Sequence, residues 1–159
     1  MDVFQYHEQL TEHIVSGGPK GTSEATYSPT LTQKFAQQME SLIRQYDIQI
    51  VYDLGSGDLT LPIYLAENTS VNVIAYELNE SLVQDAVTFW KHTGLWDSDQ
   101  ITVREKNYSQ DVSMIDETSD CLIANCGRTN HIDAKHFSSP LVSSYYGSEI
   151  SVYNLPEEK

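Results

Sequence analysis

The run Ile48-Gln49-Ile50-Val51-Tyr52-Asp53-Leu54-Gly55-Ser56-Gly57-Asp58, answered downstream by Val73-Ile74-Ala75-Tyr76-Glu77, constrains this chain more than any other feature. An apolar segment ends in an acid and turns through two glycines. A helical stretch then leads to a second apolar segment that ends in another acid. That order suits a strand, a tight turn, a crossover helix and a parallel strand. Gly55 and Gly57 let the backbone turn sharply and approach a ligand where a Cβ would obstruct it. Glu77 follows Gly57 by 20 residues, about the separation at which an acid closing the second strand accepts hydrogen bonds from ribose hydroxyls. The pattern therefore predicts a nucleoside-bearing cofactor at the carboxyl edge of a parallel sheet. The plainer alternative is an ordinary strand-to-helix turn with a solvated acid, and the ordered set of features weighs against it.

Hydrophobic spacing fills in the rest. Val3, Tyr6, Leu10 and Ile14 predict a short amphipathic helix over residues 3–15. The breaker run Ser16-Gly17-Gly18-Pro19-Lys20-Gly21-Thr22-Ser23 follows, as a lid over the cofactor or a plain linker. Leu31, Phe35, Met39, Leu42, Ile43 and Tyr46 form one stripe of a second helix. A strand is expected from Ile48 to Leu54, a helix near Leu59–Glu67, and a strand over Asn72–Glu77. Pro62 is tolerable only in the first turn of that helix. Asn79 is expected to cap a further helix that carries Leu82, Val83, Ala86, Phe89 and Trp90 inward and stops at Gly94. Strands follow at Ile101–Glu105 and Asp120–Ala124, then a hairpin around Gly147-Ser148. Alternating strands and helices predict an α/β fold with a mostly parallel sheet. Few residues follow Asn130, so the sheet is expected to be shortened at its C-terminal end. The expected division is 1–29, an N-terminal helix with a Gly-rich lid or linker, and 30–159, one Rossmann-like cofactor-binding domain.

Composition narrows the partners. At 159 residues the chain suffices for one core but not for two comfortable ones. No apolar run approaches the ~18 residues of a membrane span. The opening Met1-Asp2-Val3-Phe4-Gln5-Tyr6-His7-Glu8 lacks the basic and apolar regions of a secretory signal, so a cytoplasmic setting and no membrane partner are expected. The formal net charge is −14, with only nine Lys and Arg. Such a surface repels phosphate backbones and favours a basic protein segment or a small amine, so nucleic acid is not expected as a partner. An acidic, salt-adapted proteome would give the same charge without that meaning. Cys121 and Cys126 are five apart, on opposite faces of one strand, and read as buried free thiols. His7 and His13 would face different sides of a helix, and no metal site is expected.

Val51-Tyr52-Asp53-Leu54-Gly55-Ser56-Gly57-Asp58 resembles the first motif of class I S-adenosylmethionine-dependent methyltransferases, and Ala75-Tyr76-Glu77-Leu78-Asn79 resembles their second. Upstream, Thr26-Tyr27-Ser28-Pro29-Thr30 is similar to the Tyr-x-Pro-(Thr/Ala) segment of small protein-lysine methyltransferases, of the archaeal and the ATP synthase c-subunit types. The likeness runs from about Tyr27 to Cys126. It implies S-adenosylmethionine as cofactor and methyl transfer to a protein lysine or another amine. Asp53, Gly55, Ser56 and Gly57 would surround its methionine part, Glu77 would take the ribose hydroxyls, and Leu78 would pack on the adenine. Asn107 and Tyr108 match the place where the adenine amino group is bonded and the ring covered. Asn125 would border the transferred methyl group, and Tyr27 and Thr30 would close over the cofactor. Asn125, Tyr108 and Tyr27 are the candidates to orient the nucleophile, with a purely structural role the alternative for each.

Two departures stand out. Leu59 occupies the position of the family's third glycine, which predicts a narrowed cofactor pocket or a shifted helix. The segment Asn125-Cys126-Gly127-Arg128-Thr129-Asn130 is not the Asn-Pro-Pro-Tyr pattern of amide and adenine methylators, and little follows it. A homo-oligomer or a partner subunit could complete the substrate side, using the edge of the short sheet. A catalytically silent S-adenosylmethionine-binding or interaction module is the alternative, and an NAD-linked enzyme built on the same unit is a third reading.

Overall fold

Short apolar runs form the central strands and longer segments with apolar residues at helical spacing form the helices that flank them. The structure is a computed structural model and describes residues 2–15, 29–54, 56–77, 80–105, 121–125, 140–145 and 148–153. In chain order the elements are α1 (Val3–Val15), α2 (Pro29–Tyr46), β1 (Ile50–Leu54), α3 (Thr60–Asn68), β2 (Asn72–Tyr76), α4 (Glu80–Thr93), β3 (Ile101–Arg104), β4 (Cys121–Asn125), β5 (Pro140–Tyr145) and β6 (Ser148–Tyr153).

The sheet has the order β3-β2-β1-β4-β6-β5. β1 pairs in parallel with both β2 and β4, and β2 with β3. The C-terminal hairpin folds back so that β6 runs antiparallel to β4, with β5 at the edge. The expected α/β, mostly parallel sheet is thus present, and the antiparallel pair β6 and β5 lies beyond β4. Pro140 opens the edge strand β5, a place where its missing N–H is tolerated.

The first strand begins two residues later than its apolar pattern suggests, because Ile48 closes the preceding helix. Asp47 adopts a left-handed φ of 52°, and the Ile48 N–H reaches back to the Ile43 carbonyl at 3.0 Å. This is the 6→1 bond of a Schellman cap, and both isoleucines are buried in one cluster, as that motif favours. Gly94, at φ 83°, ends α4 after Lys91 and His92, whose charge type suits a helix C-terminus. Asn79, the expected cap of α4, lies outside the described residues.

Among the described residues, the helices cover one face of the sheet. Phe35, Met39 and Ile43 of α2 pack with Leu61 and Leu65 of α3 on Val51 and Val73. On the other flank, Val3 and Leu10 of α1 join Ile63 of α3, Leu82, Ala86 and Trp90 of α4, and Ala75 and Ile101 of the sheet. α3 sits between the two clusters, so Leu61, Ile63 and Leu65 are all buried and its apolar character runs round the helix. α1, read from sequence as part of an N-terminal segment, contributes fully buried side chains to this core.

A polar strap runs along the outer flank of α2 and α3. The Tyr64 hydroxyl donates to Glu40 at 2.6 Å, and Arg44 binds both Glu40 and the Asn68 carbonyl. Burial, and then the neighbouring Glu40 carboxylate, push the Tyr64 hydroxyl up to about 12 from 10.0. Its stabilising effect is complete below pH 10 and is lost as pH rises through that window toward 12. Tyr64→Phe is expected to flatten the fall in melting temperature across this interval, as followed by circular dichroism. An unchanged alkaline slope would remove Tyr64 from its cause.

Candidate cofactor site

The parallel strands end level with one another. Arg104, Tyr76, Leu54 and Asn125 are successive register partners across β3, β2, β1 and β4. The chain leaves β1 toward β2 and β3 on one side and returns to β4 on the other. Such a reversal of strand order opens a crevice at the carboxyl ends of the strands, where ligands of open α/β sheets bind.

The turn after β1 stands at this edge. Ser56 extends the β1–β2 ladder through its N–H to the Tyr76 carbonyl at 3.0 Å, and its hydroxyl donates to the Asp53 carbonyl at 3.0 Å. Gly57 takes a φ of 58°, the left-handed region where glycine carries no penalty. Its N–H points at the Glu77 carboxylate, 2.9 Å away. Glu77 is half-buried and is itself fixed by its N–H to the Arg104 carbonyl at 3.2 Å. The acid and the glycine turn, 20 residues apart in sequence, thus face each other directly.

The predicted site residues divide clearly. Asp53 is completely buried at the end of β1, beneath the turn, while Ser56, Gly57 and Glu77 meet above it. Asn125 closes β4 beside Leu54, and Thr30 lies in the first turn of α2; only their backbone is described. Tyr27, Gly55, Leu78, Asn107 and Tyr108 lie outside the described residues, as does Cys126. Among the described residues no group of three or more His, Cys, Asp or Glu side chains could hold a metal ion. No helix among them is long and apolar enough to cross a membrane.

Leu59, expected to narrow the pocket or shift the helix, turns its side chain into the core. It adopts φ 66° and ψ 13°, so the position of the family's third glycine is a left-handed one in this chain. Its side chain does not narrow the crevice. It is fully buried among Ile63, Ala75, Leu82, Ala86 and Trp90 on the helix-covered face. A non-glycine residue in this conformation costs about 1–2 kcal/mol, which apolar burial on this scale offsets.

Sequence reasoning missed three groups that hold this turn and one beside it. The His7 ring Nε2–H of α1 donates to Asp58 Oδ2 at 3.0 Å, with both side chains buried. The other Asp58 oxygen accepts the Thr60 N–H at 3.1 Å, and the Trp90 indole N–H donates to the Asp58 carbonyl at 2.8 Å. At the sheet edge the Arg104 guanidinium lies 5.8 Å over the Tyr76 ring and donates to its hydroxyl at 3.2 Å. A signal for His7 existed, since Val3, His7 and Leu10 fall on one helical face. Tyr6 drew the stripe toward itself. It is half-buried and meets Phe89 and Trp90 edge-on.

Removing the Leu59 side chain separates burial from backbone strain. Leu59→Ala is expected to cost about 2–5 kcal/mol, as buried Leu→Ala changes do. Leu59→Gly, though smaller still, is expected to be about 1 kcal/mol more stable than the alanine variant, because glycine is unstrained at this φ. Urea unfolding of the two variants measures the difference, and an alanine variant that is the more stable would contradict the left-handed turn.

No protein-family model matches the sequence, and no curated protein matches it. Solved structures do share its fold. A provisionally assigned S-adenosyl-L-methionine-dependent methyltransferase from Methanococcus maripaludis superposes with a TM-score of 0.53 at 13% identity, over 83% of this chain and 90% of its own. An uncharacterised protein from Listeria monocytogenes serotype 4b gives 0.53 at 16% identity, over 79% and 68%. A provisionally assigned caffeoyl-CoA O-methyltransferase from Staphylococcus aureus gives 0.50 at 15%, over 75% of this chain and 65% of its own. At these identities the likeness is one of fold: this chain has the Rossmann-like α/β architecture of class I methyltransferases.

Proposed function

We propose that this chain binds S-adenosylmethionine at the carboxyl edge of β1 and β2 and promotes transfer of its methyl group to a protein lysine or another amine. The observation that carries this reading is the 2.9 Å contact between the Gly57 N–H and the Glu77 carboxylate. It sets a ribose-binding type of acid against a glycine turn at the point where the strand order reverses. The residues present fit such a cofactor. A carboxylate with two oxygens suits a pair of ribose hydroxyls, and a backbone without a Cβ at Gly57 suits close approach.

The cofactor supplies a methyl group already activated on a sulfonium, so the protein's task is binding and positioning. Glu77 would take the ribose hydroxyls, and Asp53, Gly55, Ser56 and Gly57 would border the methionine part. Leu78, Asn107 and Tyr108 would hold the adenine, while Tyr27 and Thr30 would close the site from the N-terminal side. Asn125, at the end of β4 beside Leu54, would border the reacting methyl. An amine attacks only when neutral, so the site must hold it dry and accept its proton or lower its pKa. Asn125, Tyr108 and Tyr27 are the candidates to orient it. A net charge of −14 favours a cationic protein segment over a phosphate backbone as substrate.

Incubation with methyl-labelled S-adenosylmethionine and a fractionated cell extract is expected to label protein, in lysine, and not RNA. Label in RNA alone would replace the proposed substrate class. Tight binding with no label in any fraction would leave a cofactor-binding module, and affinity for NAD without affinity for S-adenosylmethionine would overturn the cofactor. Glu77→Gln is expected to weaken S-adenosylhomocysteine binding at least about tenfold by calorimetry, since one ribose acceptor becomes a donor, and each tenfold is about 1.4 kcal/mol.

A further inference from the structure

We propose that His7 of α1 is a positioning residue for the cofactor turn, acting through Asp58. The inference rests on the functional reading above and adds to it a control point on the opposite side of the turn from the ligand edge.

Asp58 is flanked by two left-handed residues, Gly57 at φ 58° and Leu59 at φ 66°. Glycine adopts that conformation freely, but leucine does not. A turn of this shape is therefore not selected by its own sequence and needs contacts from outside to hold it. Three converge on the one residue between them. His7 binds one carboxylate oxygen, the Thr60 N–H binds the other, and the Trp90 indole binds the carbonyl. Two of these come from separate helices, α1 and α4, and His7 is 51 residues away from Asp58 in sequence.

The same short turn carries the group that faces the ligand edge. The peptide N–H of Gly57, immediately before Asp58, is aimed at Glu77. The Leu59 N–H closes the turn onto the Ser56 carbonyl at 3.1 Å. Displacement of Asp58 would carry along Gly57, its neighbour in the chain, and with it the N–H that faces the carboxylate. His7 is 1% exposed and Asp58 5%, so water cannot readily replace the ring N–H when it is lost. The buried pair therefore transmits the position of α1 to the cofactor edge, rather than merely adding stability to the core.

The test compares three variants of the full chain with wild type. His7→Leu removes the donor while keeping apolar bulk. His7→Gln keeps an N–H donor at similar reach. Val3→Ala loosens the packing of the same helix, where Val3 is 2% exposed, while leaving every hydrogen-bonding group at Asp58 in place. S-adenosylhomocysteine affinity is read by calorimetry, and amide hydrogen exchange over residues 56–60 is read without ligand. His7→Leu is expected to bind about tenfold more weakly and to exchange faster across the turn. His7→Gln is expected to stay near wild type in both readouts, and Val3→Ala to leave both unchanged despite a lower melting temperature. Should His7→Leu not fold, His7→Asn, whose amide is too short to reach Asp58, takes its place. Affinity and turn exchange in His7→Leu no different from those of Val3→Ala would overturn the proposal. If the wild type binds no cofactor, the functional reading falls, while the exchange comparison still decides whether His7 holds the turn.

Discussion

Asp58 is the residue on which the geometry of this molecule turns. Its carboxylate reaches α1 through His7 and the start of α3 through Thr60, and its carbonyl reaches α4 through Trp90. Three helices are thereby fixed to the five-residue span that joins β1 to α3. A buried polar group of this kind would be costly if left without partners, and here each Asp58 oxygen has one. Asp58 consequently ties the helix layer to the turn at the carboxyl edge of the sheet.

Leu59 shows why that fixing is needed. The chain places a leucine where the turn demands a left-handed residue, then uses its side chain as a central element of the core among Ile63, Ala86 and Trp90. Apolar burial supplies the free energy that the backbone conformation costs, so the departure from a third glycine is absorbed by the helix-covered face and not by the crevice. The same economy appears at Asp47, where a left-handed aspartate completes the cap of α2 and Ile48 is taken from the strand into the core. Local strain at both sites is held by apolar packing immediately beside it.

The sheet gives the edge its chemistry. Because Arg104, Tyr76, Leu54 and Asn125 end in register, whatever follows each strand is delivered to one line along the carboxyl edge. Glu77 and the Gly57 turn are the described part of that line. The strand pair β5–β6 lies on the far side, where β6 runs antiparallel to β4 and covers its outer edge with backbone partners.

Much of this was written in local sequence. Continuous apolar runs closed by an acid marked β1 and β2, and stripes at helical spacing marked α2 and α4. Gly57 and Glu77, spaced by one crossover, announced their own meeting, because a βαβ unit of that length has few ways to return to its sheet. What local sequence did not carry was every contact between elements distant along the chain. From sequence, His7 is weighed only against His13 as a metal ligand, Asp58 reads as part of the glycine turn, and Trp90 as an inward-facing helix residue. Their joining depends on how α1 and α4 pack against α3, which no period or motif encodes. The conformation of Leu59 was likewise decided in the tertiary structure, since a leucine adopts a left-handed turn only where surrounding side chains bury it and neighbouring hydrogen bonds hold the backbone in place.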